Sequence, residues 1–188
     1  MPTAVDALIE RQDAVLAFLR ESGQISLAID FEDTYRPLLV LACGSFFETY
    51  LTDHLCTFAL EASDSRLAAF LKNKGLKRQY HTLFDWERSN VNAFLGLFGE
   101  DYKSATRQTI ESNEKLAQGM RNFLQLGAER NRIAHINLSA ISPDLTLDEI
   151  KQRYSSAWAF LQFLCSTLCP ITLADNPEAT AEAATAAG

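Results

Sequence analysis

The residues best suited to chemistry lie in one short stretch, the hexad RNRIAH at residues 130–135. The imidazole of His135 can take up and release a proton near neutral pH. Arginine stays charged, and the planar guanidinium of Arg130 can bind a phosphate through two hydrogen bonds. Asn131 precedes His135 by four residues, so at about 100° per residue both share one face of a helix, where Asn131 can orient the imidazole. These residue types predict phosphate-ester chemistry.

The position of Arg130 relative to His135 leaves two interpretations open. The two residues lie about 140° apart around a helix, so they converge only if the long arginine side chain reaches around, or if the helix loosens before His135. Either arrangement suits a shared anion at a helix end. The alternative is structural, because positive side chains near the C-terminal end of a helix are stabilised by its dipole.

A second candidate region is the basic run KNKGLKRQYH at residues 72–81. Its four cations, with Tyr80 beside His81, would hold an RNA backbone and stack a base. The alternative interpretation is that this run forms a solvated loop without a binding role. The four candidate substrate-binding cations here are Lys72, Lys74, Lys77 and Arg78.

Glu48 is a conspicuous carboxylate inside the most apolar stretch of the chain. A buried carboxylate is costly unless it is paired, so Glu48 is expected to form a structural salt bridge, to face solvent, or to support Arg130 from behind. The four cysteines contain no C-x-x-C pair, and their apolar surroundings predict buried, reduced thiols. We expect no metal site and no cofactor.

The hexad and the apolar helices around it resemble the HEPN superfamily of helical ribonucleases. The signature of that superfamily is an arginine, often followed by asparagine, then three residues and a histidine, and Arg130, Asn131 and His135 match it. Residues 38–55, with SFFE at 45–48, are similar to the central helix of the RiboL-PSP and MAE-type branches, and the resemblance covers roughly residues 35–168. Toxins paired with minimal nucleotidyltransferases carry a tyrosine two residues after the histidine. Asn137 stands there instead, so regulation through that tyrosine is not available.

The resemblance implies a metal-independent endoribonuclease acting in toxin or anti-phage defence or in RNA processing. His135 and Arg130 would be catalytic with Asn131. Apart from the resemblance, the positive charge of Arg132 next to them in the chain makes it a further candidate for binding substrate. Cleavage by the 2′-OH would give 2′,3′-cyclic phosphate and 5′-OH ends. The family builds a composite site at a homodimer interface, so we expect a homodimer, an RNA substrate and an antitoxin or regulatory protein as a further partner. The alternative is a non-catalytic HEPN-like module that binds a protein or a nucleotide.

Composition places limits on these interpretations. The chain has 188 residues, 47% of them hydrophobic and 22% charged, which are globular values. No run reaches the roughly 18 apolar residues of a membrane span, and acidic Asp6 and Glu10 stand where a signal peptide is apolar. We therefore expect a cytoplasmic protein without membrane contact. The net charge of −7 argues against a tight, non-specific RNA binder.

The periodicity of apolar residues predicts an all-α, up-and-down bundle of about five to six helices. Residues 1–173 are predicted to form one domain and residues 174–188 a disordered tail. Residues 25–29 alternate like a brief strand, and Asp33 and Pro37 are expected to open the next helix. Thr146 and Glu149 form a predicted capping box for the last helix. Further helices are predicted at residues 4–20, 35–60, 63–71, 90–98 and 127–134, with another that begins between Lys103 and Ser112.

Overall fold

The protein is an all-α bundle whose long second and sixth helices carry the candidate site. The computed structural model describes residues 2–62, 66, 71–76, 80–88, 90–135 and 144–168, without the side chains of residues 62, 73, 74 and 135. Within these residues the helices are α1 (Ala4–Glu21), α2 (Ile25–Ala62), a π-helix (Leu71–Leu76), α3 (Tyr80–Leu83), α4 (Asn92–Gly96), α5 (Glu100–Glu111), α6 (Glu114–His135) and α7 (Leu147–Leu168). The described part contains no β-strand. The predicted all-α bundle is confirmed, and the described residues form seven α-helices where about five to six were predicted.

Helix α2 is the central element, and it is longer than the sequence predicted. Leu39, Phe47 and Leu51 are at most 1% exposed, as expected for the most apolar helix. The predicted strand at residues 25–29 is wrong because α2 begins at Ile25, and Pro37 lies inside the helix rather than opening it. Packing against α1 outweighs these local signals, because apolar residues on both sides of Pro37 are buried.

The chain between Glu100 and His135 forms two helices. The predicted helix beginning between Lys103 and Ser112 is therefore wrong. Asn113 accepts hydrogen bonds on its Oδ1 from the backbone N–H groups of Lys115 and Leu116 at 3.1 and 3.3 Å, which is how asparagine starts a new helix. The hexad helix predicted at residues 127–134 is the last part of the continuous α6.

Helices α6 and α7 approach each other closely because α6 carries small residues. A Cβ at Gly119 would lie 2.5 Å from the carbonyl oxygen of Ser156, and one at Gly127 would overlap the ring of Trp86. Buried Asn122 donates to Ser156 Oγ at 2.6 Å. The two glycines therefore allow close packing against α6.

The start of α7 confirms the predicted capping box. The backbone N–H of Thr146 donates to Glu149 Oε2 at 2.8 Å, and the backbone N–H of Glu149 donates to Thr146 Oγ1 at 3.3 Å. The first of these bonds lowers the pKa of Glu149. Most of the predicted helix at 63–71, most of the loop at 137–146 and the tail at 174–188 lie outside the described residues. None of the helices described is both long enough and apolar enough to span a bilayer.

Candidate functional site

Arg130 is held where α6 crosses α2. A Cβ at Gly44 would lie 2.5 Å from Cγ and 2.9 Å from Cβ of Arg130. Only a residue without a side chain allows this approach, so the aliphatic stem of Arg130 lies directly against the backbone of α2. The position of the guanidinium is therefore set by contact between two helices, and not by the hexad alone.

The guanidinium of Arg130 is oriented by two hydrogen bonds. Nη2 donates to Glu48 Oε2 at 2.8 Å, and Nη1 donates to Asn131 Oδ1 at 3.1 Å. These contacts use two of the five N–H donors that an arginine carries. The side chains of Arg130 and Glu48 are 26% and 34% exposed, so the cation is fixed but still accessible from solvent. Such a group can bind an anion with little loss of conformational entropy.

The structure describes the three candidate partners of Arg130 to different extents. Glu48, one of whose predicted roles was to support Arg130, is its ion-pair partner. The side-chain oxygen of Asn131 accepts a hydrogen bond from the guanidinium of Arg130. His135 occupies the same face of α6 as Asn131 by helical register. Its side chain lies outside the described residues, so its orientation by Asn131 stays a prediction.

Tyr80 lies beside this ion pair, but it is buried. It is 6% exposed, and its ring packs near Phe84 and Trp86 with centroids 6.2 and 5.7 Å away. Burial raises the pKa of Tyr80, the Glu48 carboxylate raises it further, and Arg130 acts in the opposite direction. The expected stacking of Tyr80 on an RNA base is wrong because its ring belongs to the core. The phenol stays neutral next to the two charges.

The basic run begins next to Glu48. Lys72, in the π-helix, lines a groove of about 310 Å³ together with Glu48, Ser45 and Asp53. The side chain of Lys74, and both Lys77 and Arg78 entirely, lie outside the described residues. The structure thus brings one of the four predicted cations to the edge of the Arg130 site.

Arg132 is not brought together with Arg130. Its guanidinium pairs with Glu129, with Nη2 to Oε1 at 2.5 Å and Nε to Oε2 at 2.9 Å. This pairing is the main reason that the pKa of Arg132 is raised. The two arginines lie about 160° apart around α6. The predicted contact of Arg132 with substrate stays a prediction, and this arrangement gives it no support.

A hollow that no sequence pattern predicted is lined in part by Asn131. It has a volume of about 650 Å³ and is lined by Trp86, Phe84, Asp85 and Glu87 as well as Asn131. No spacing in the sequence connects these residues to the hexad. The one available signal was Gly127, a helical glycine four residues before Asn131, which marks the close approach of another element.

Thiols and histidines elsewhere have structural roles. Cys43, Cys56 and Cys165 are buried free thiols, as predicted, and burial raises the pKa of Cys43 to about 12. Cys169 lies outside the described residues. The imidazole Nε2 of His54 lies 2.8 Å from the carbonyl oxygen of Cys165. Within the described ranges, no three His, Cys, Asp or Glu side chains are grouped so as to hold a metal ion.

Comparison with known protein families gives a match over most of the chain. The model of the RiboL-PSP-HEPN family matches residues 6–169, which includes the helices α2 and α6 that meet at Arg130. No curated protein and no solved structure matches the sequence significantly. The resemblance inferred from the hexad is therefore confirmed at the level of the family.

Proposed function

The chain belongs to the RiboL-PSP-HEPN family, and membership of this family suggests a nuclease or RNA-related function, so we propose that it is a metal-independent endoribonuclease. The observation that carries this proposal is the geometry at Arg130. Glu48 and Asn131 fix a solvent-accessible guanidinium on the helix that ends at His135. An oriented cation and an acid-base residue, here carried by the same helix, are the groups that cleavage of a phosphodiester requires.

The proposed reaction uses two groups of the hexad directly. His135 takes the proton from a ribose 2′-OH, and the resulting oxygen attacks the adjacent phosphorus. Arg130 stabilises the negative charge that develops on the equatorial oxygens. The bond to the 5′ oxygen breaks, leaving a 2′,3′-cyclic phosphate and a 5′-OH. Glu48 and Asn131 act as positioning residues, since each hydrogen-bonds to Arg130.

A second chain completes the proposed site. The leaving 5′ oxygen must receive a proton, and the hexad of one chain supplies only one histidine. A two-fold dimer would bring a second His135 to the same cleft. One histidine would then act as the base and the other as the acid. We therefore propose a homodimer with a composite site.

The exposed face of α2 is the surface that we assign to the second copy. It continues from Glu48 at helical spacing and carries mostly uncharged residues, of which Leu27 and Leu38 are 54% and 50% exposed, with the exposed Asp30 beside them near the start of α2. A stripe of uncharged residues lets two chains of net charge −7 approach with less repulsion at the contact than an acidic face would give. The stripe consists of Leu27, Thr34, Leu38, Leu41 and Ser45.

Replacing Leu38 with lysine is therefore expected to weaken the dimer. The substitution occurs twice in a two-fold interface, and losing two leucine contacts of roughly 1.5 kcal/mol each would raise the dissociation constant about 100-fold. Sedimentation velocity over a range of concentrations measures this. Leu97→Lys is the matched control, because Leu97 is 63% exposed and lies after α4. Equal effects of the two substitutions, or a monomeric wild type, would rule out this surface.

The test of the proposed activity is incubation of the purified protein with RNA in the presence of EDTA. Analysis of the ends of the products distinguishes this chemistry from metal-dependent hydrolysis, which leaves no 2′,3′-cyclic phosphate. The second candidate is a non-catalytic module that binds a protein or a nucleotide, and the net charge of −7 favours it. That candidate predicts no cleavage by either the wild type or the His135→Ala variant.

Lys72 is proposed to contact the RNA backbone, because it lines the groove that contains Glu48. Each phosphate contact on a single strand contributes roughly 0.7 to the slope of log affinity against log salt. Lys72→Gln should reduce that slope by about this amount, and the combined glutamine variant of Lys72, Lys74, Lys77 and Arg78 by about four times as much.

Filter binding from low to physiological salt measures these slopes. The control is Lys115→Gln, an exposed lysine fifteen residues before Arg130 on α6, or about 22 Å along the helix. An unchanged slope in the quadruple variant would mean that the run is only a solvated loop. At saturating RNA, the rate of the chemical step should be the same in all of these variants.

The biological setting is proposed from the family. A metal-independent ribonuclease that acts on cellular RNA requires control, so we propose a role in toxin or anti-phage defence or in RNA processing. An antitoxin or regulatory protein would then be the natural partner. Co-purification from cells that express the chain with its neighbouring genes would test this.

A further inference from the structure

The hollow lined by Asn131 is connected to Arg130, the proposed catalytic arginine, through a single hydrogen bond. Asn131 lines the hollow and at the same time accepts a hydrogen bond from Arg130 Nη1 at 3.1 Å. Its volume of about 650 Å³ lies within the range of roughly 300–1,000 Å³ that is usual for small-molecule sites. A nucleotide whose phosphate contacts Arg130 would therefore have its base within reach of this hollow.

Trp86 gives the hollow a rigid aromatic wall. Its Nε1 donates to the carbonyl oxygen of His81 at 2.8 Å, and its ring fits against Gly127, where no Cβ could be accommodated. Phe84 and Phe123 pack against the same ring with centroids 5.1 and 5.9 Å away. A ring fixed in this way can stack on a base without first losing rotational freedom.

The charge of the hollow selects the kind of group that can enter. Asp85 and Glu87 flank Trp86 and line the hollow, whereas the described lining contains no lysine or arginine. Asp85 is paired with Arg88 at 2.8 Å, and Glu87 is exposed. Carboxylates repel phosphate and accept hydrogen bonds from N–H groups. The hollow therefore suits a neutral base that presents N–H donors.

We propose that this hollow is the subsite for a base next to the scissile phosphate, and that Glu87 selects guanine. The proposal rests on the ribonuclease function proposed above. Guanine presents two adjacent donors, N1–H and the N2 amino group, which can donate to the two oxygens of one carboxylate. Adenine and cytosine present an amino group beside a ring nitrogen that is an acceptor, and uracil presents one N–H between two carbonyl groups. Only guanine matches both carboxylate oxygens.

Binding of single nucleotides tests the subsite without any cleavage. The chain has two tryptophans, so Trp158→Phe leaves Trp86 as the only fluorophore of this kind. Guanosine 3′-monophosphate should quench Trp86 saturably, with a dissociation constant about tenfold below those of the adenosine, cytidine and uridine counterparts. Glu87→Gln should remove this preference, because the amide offers only one acceptor oxygen. Glu100→Gln is the control, since Glu100 is exposed, is paired with Lys103 and does not line the hollow.

Cleavage of short RNAs that differ in one base beside the cut provides the second measurement. Wild type should prefer guanine by about tenfold in kcat/KM, and Glu87→Gln should lose that preference. Selective quenching by the guanosine nucleotide without RNA cleavage would support guanine binding in the hollow and contradict the proposed ribonuclease function. RNA cleavage with neither base preference nor selective quenching would overturn the guanine subsite but not the proposed ribonuclease function.

Discussion

Alanine in place of His135 is expected to abolish RNA cleavage while the fold is retained. Removal of a general acid or base costs about 10²- to 10⁴-fold in rate, and each composite site would lose two such groups. Arg130→Ala should have an effect of similar size, because the charge on the equatorial oxygens would lose its stabilising cation. Arg130→Lys should recover only part of the activity, since an ammonium group cannot reproduce the planar fork.

These rates should be measured with a defined RNA in EDTA, and helical content should be compared by circular dichroism. Arg121→Ala is the matched control on the same helix, because Arg121 is a partly exposed arginine that pairs with Glu114 at 2.7 Å. It should cleave like the wild type. Full activity of the His135 variant, or a strict requirement for a divalent metal, would contradict the mechanism.

Gly44→Ala is expected to impair cleavage more than it impairs stability. Alanine gains about 1 kcal/mol over glycine in a helix, but the added Cβ would lie 2.5 Å from Cγ of Arg130, and such overpacking costs about 1–3 kcal/mol. The two terms partly cancel in the free energy of unfolding. Their effect on the site does not cancel, because Arg130 must move, and a displacement of about 1 Å can cost 10²-fold in rate.

The expected result for Gly44→Ala is thus a rate loss of about 10²-fold with a free energy of unfolding reduced by about 0–2 kcal/mol. Chemical denaturation and single-turnover cleavage measure the two quantities separately. Gly96→Ala is the control, since the nearest atom to its added Cβ is Lys103 Cδ at 3.9 Å. It should be neutral or slightly stabilising. Wild-type cleavage by Gly44→Ala would show that Arg130 does not need its present position.

The sequence by itself determined the features that depend on local pattern. The hexad identified the family, because Arg130, Asn131 and His135 match a signature whose residues are close together in the chain. The high apolar content of the stretch around Glu48 predicted the burial of α2, and the Thr146 and Glu149 spacing predicted the capping box. Each of these is decided within a few helical turns, so residue types and spacing suffice.

Local signals failed where burial opposed them. Residues 25–29 alternate like a strand and Pro37 is a common first residue of a helix, yet both lie inside α2. Ala28 and Tyr35 are each only 3% exposed. Burying this face against the rest of the bundle contributes more than the local preferences, which amount to about 1 kcal/mol or less for an ordinary residue and about 3 kcal/mol for a proline inside a helix.

Only the tertiary structure decided how the site is assembled. Glu48 and Arg130 are 82 residues apart, and their pairing depends on the close contact of α2 and α6 that Gly44 permits. Trp86 reaches the hollow beside Asn131 because Gly127 leaves room for its ring. Contacts of this kind depend on which helix faces pack together, and that is set by the burial of the whole core rather than by any short run of residues.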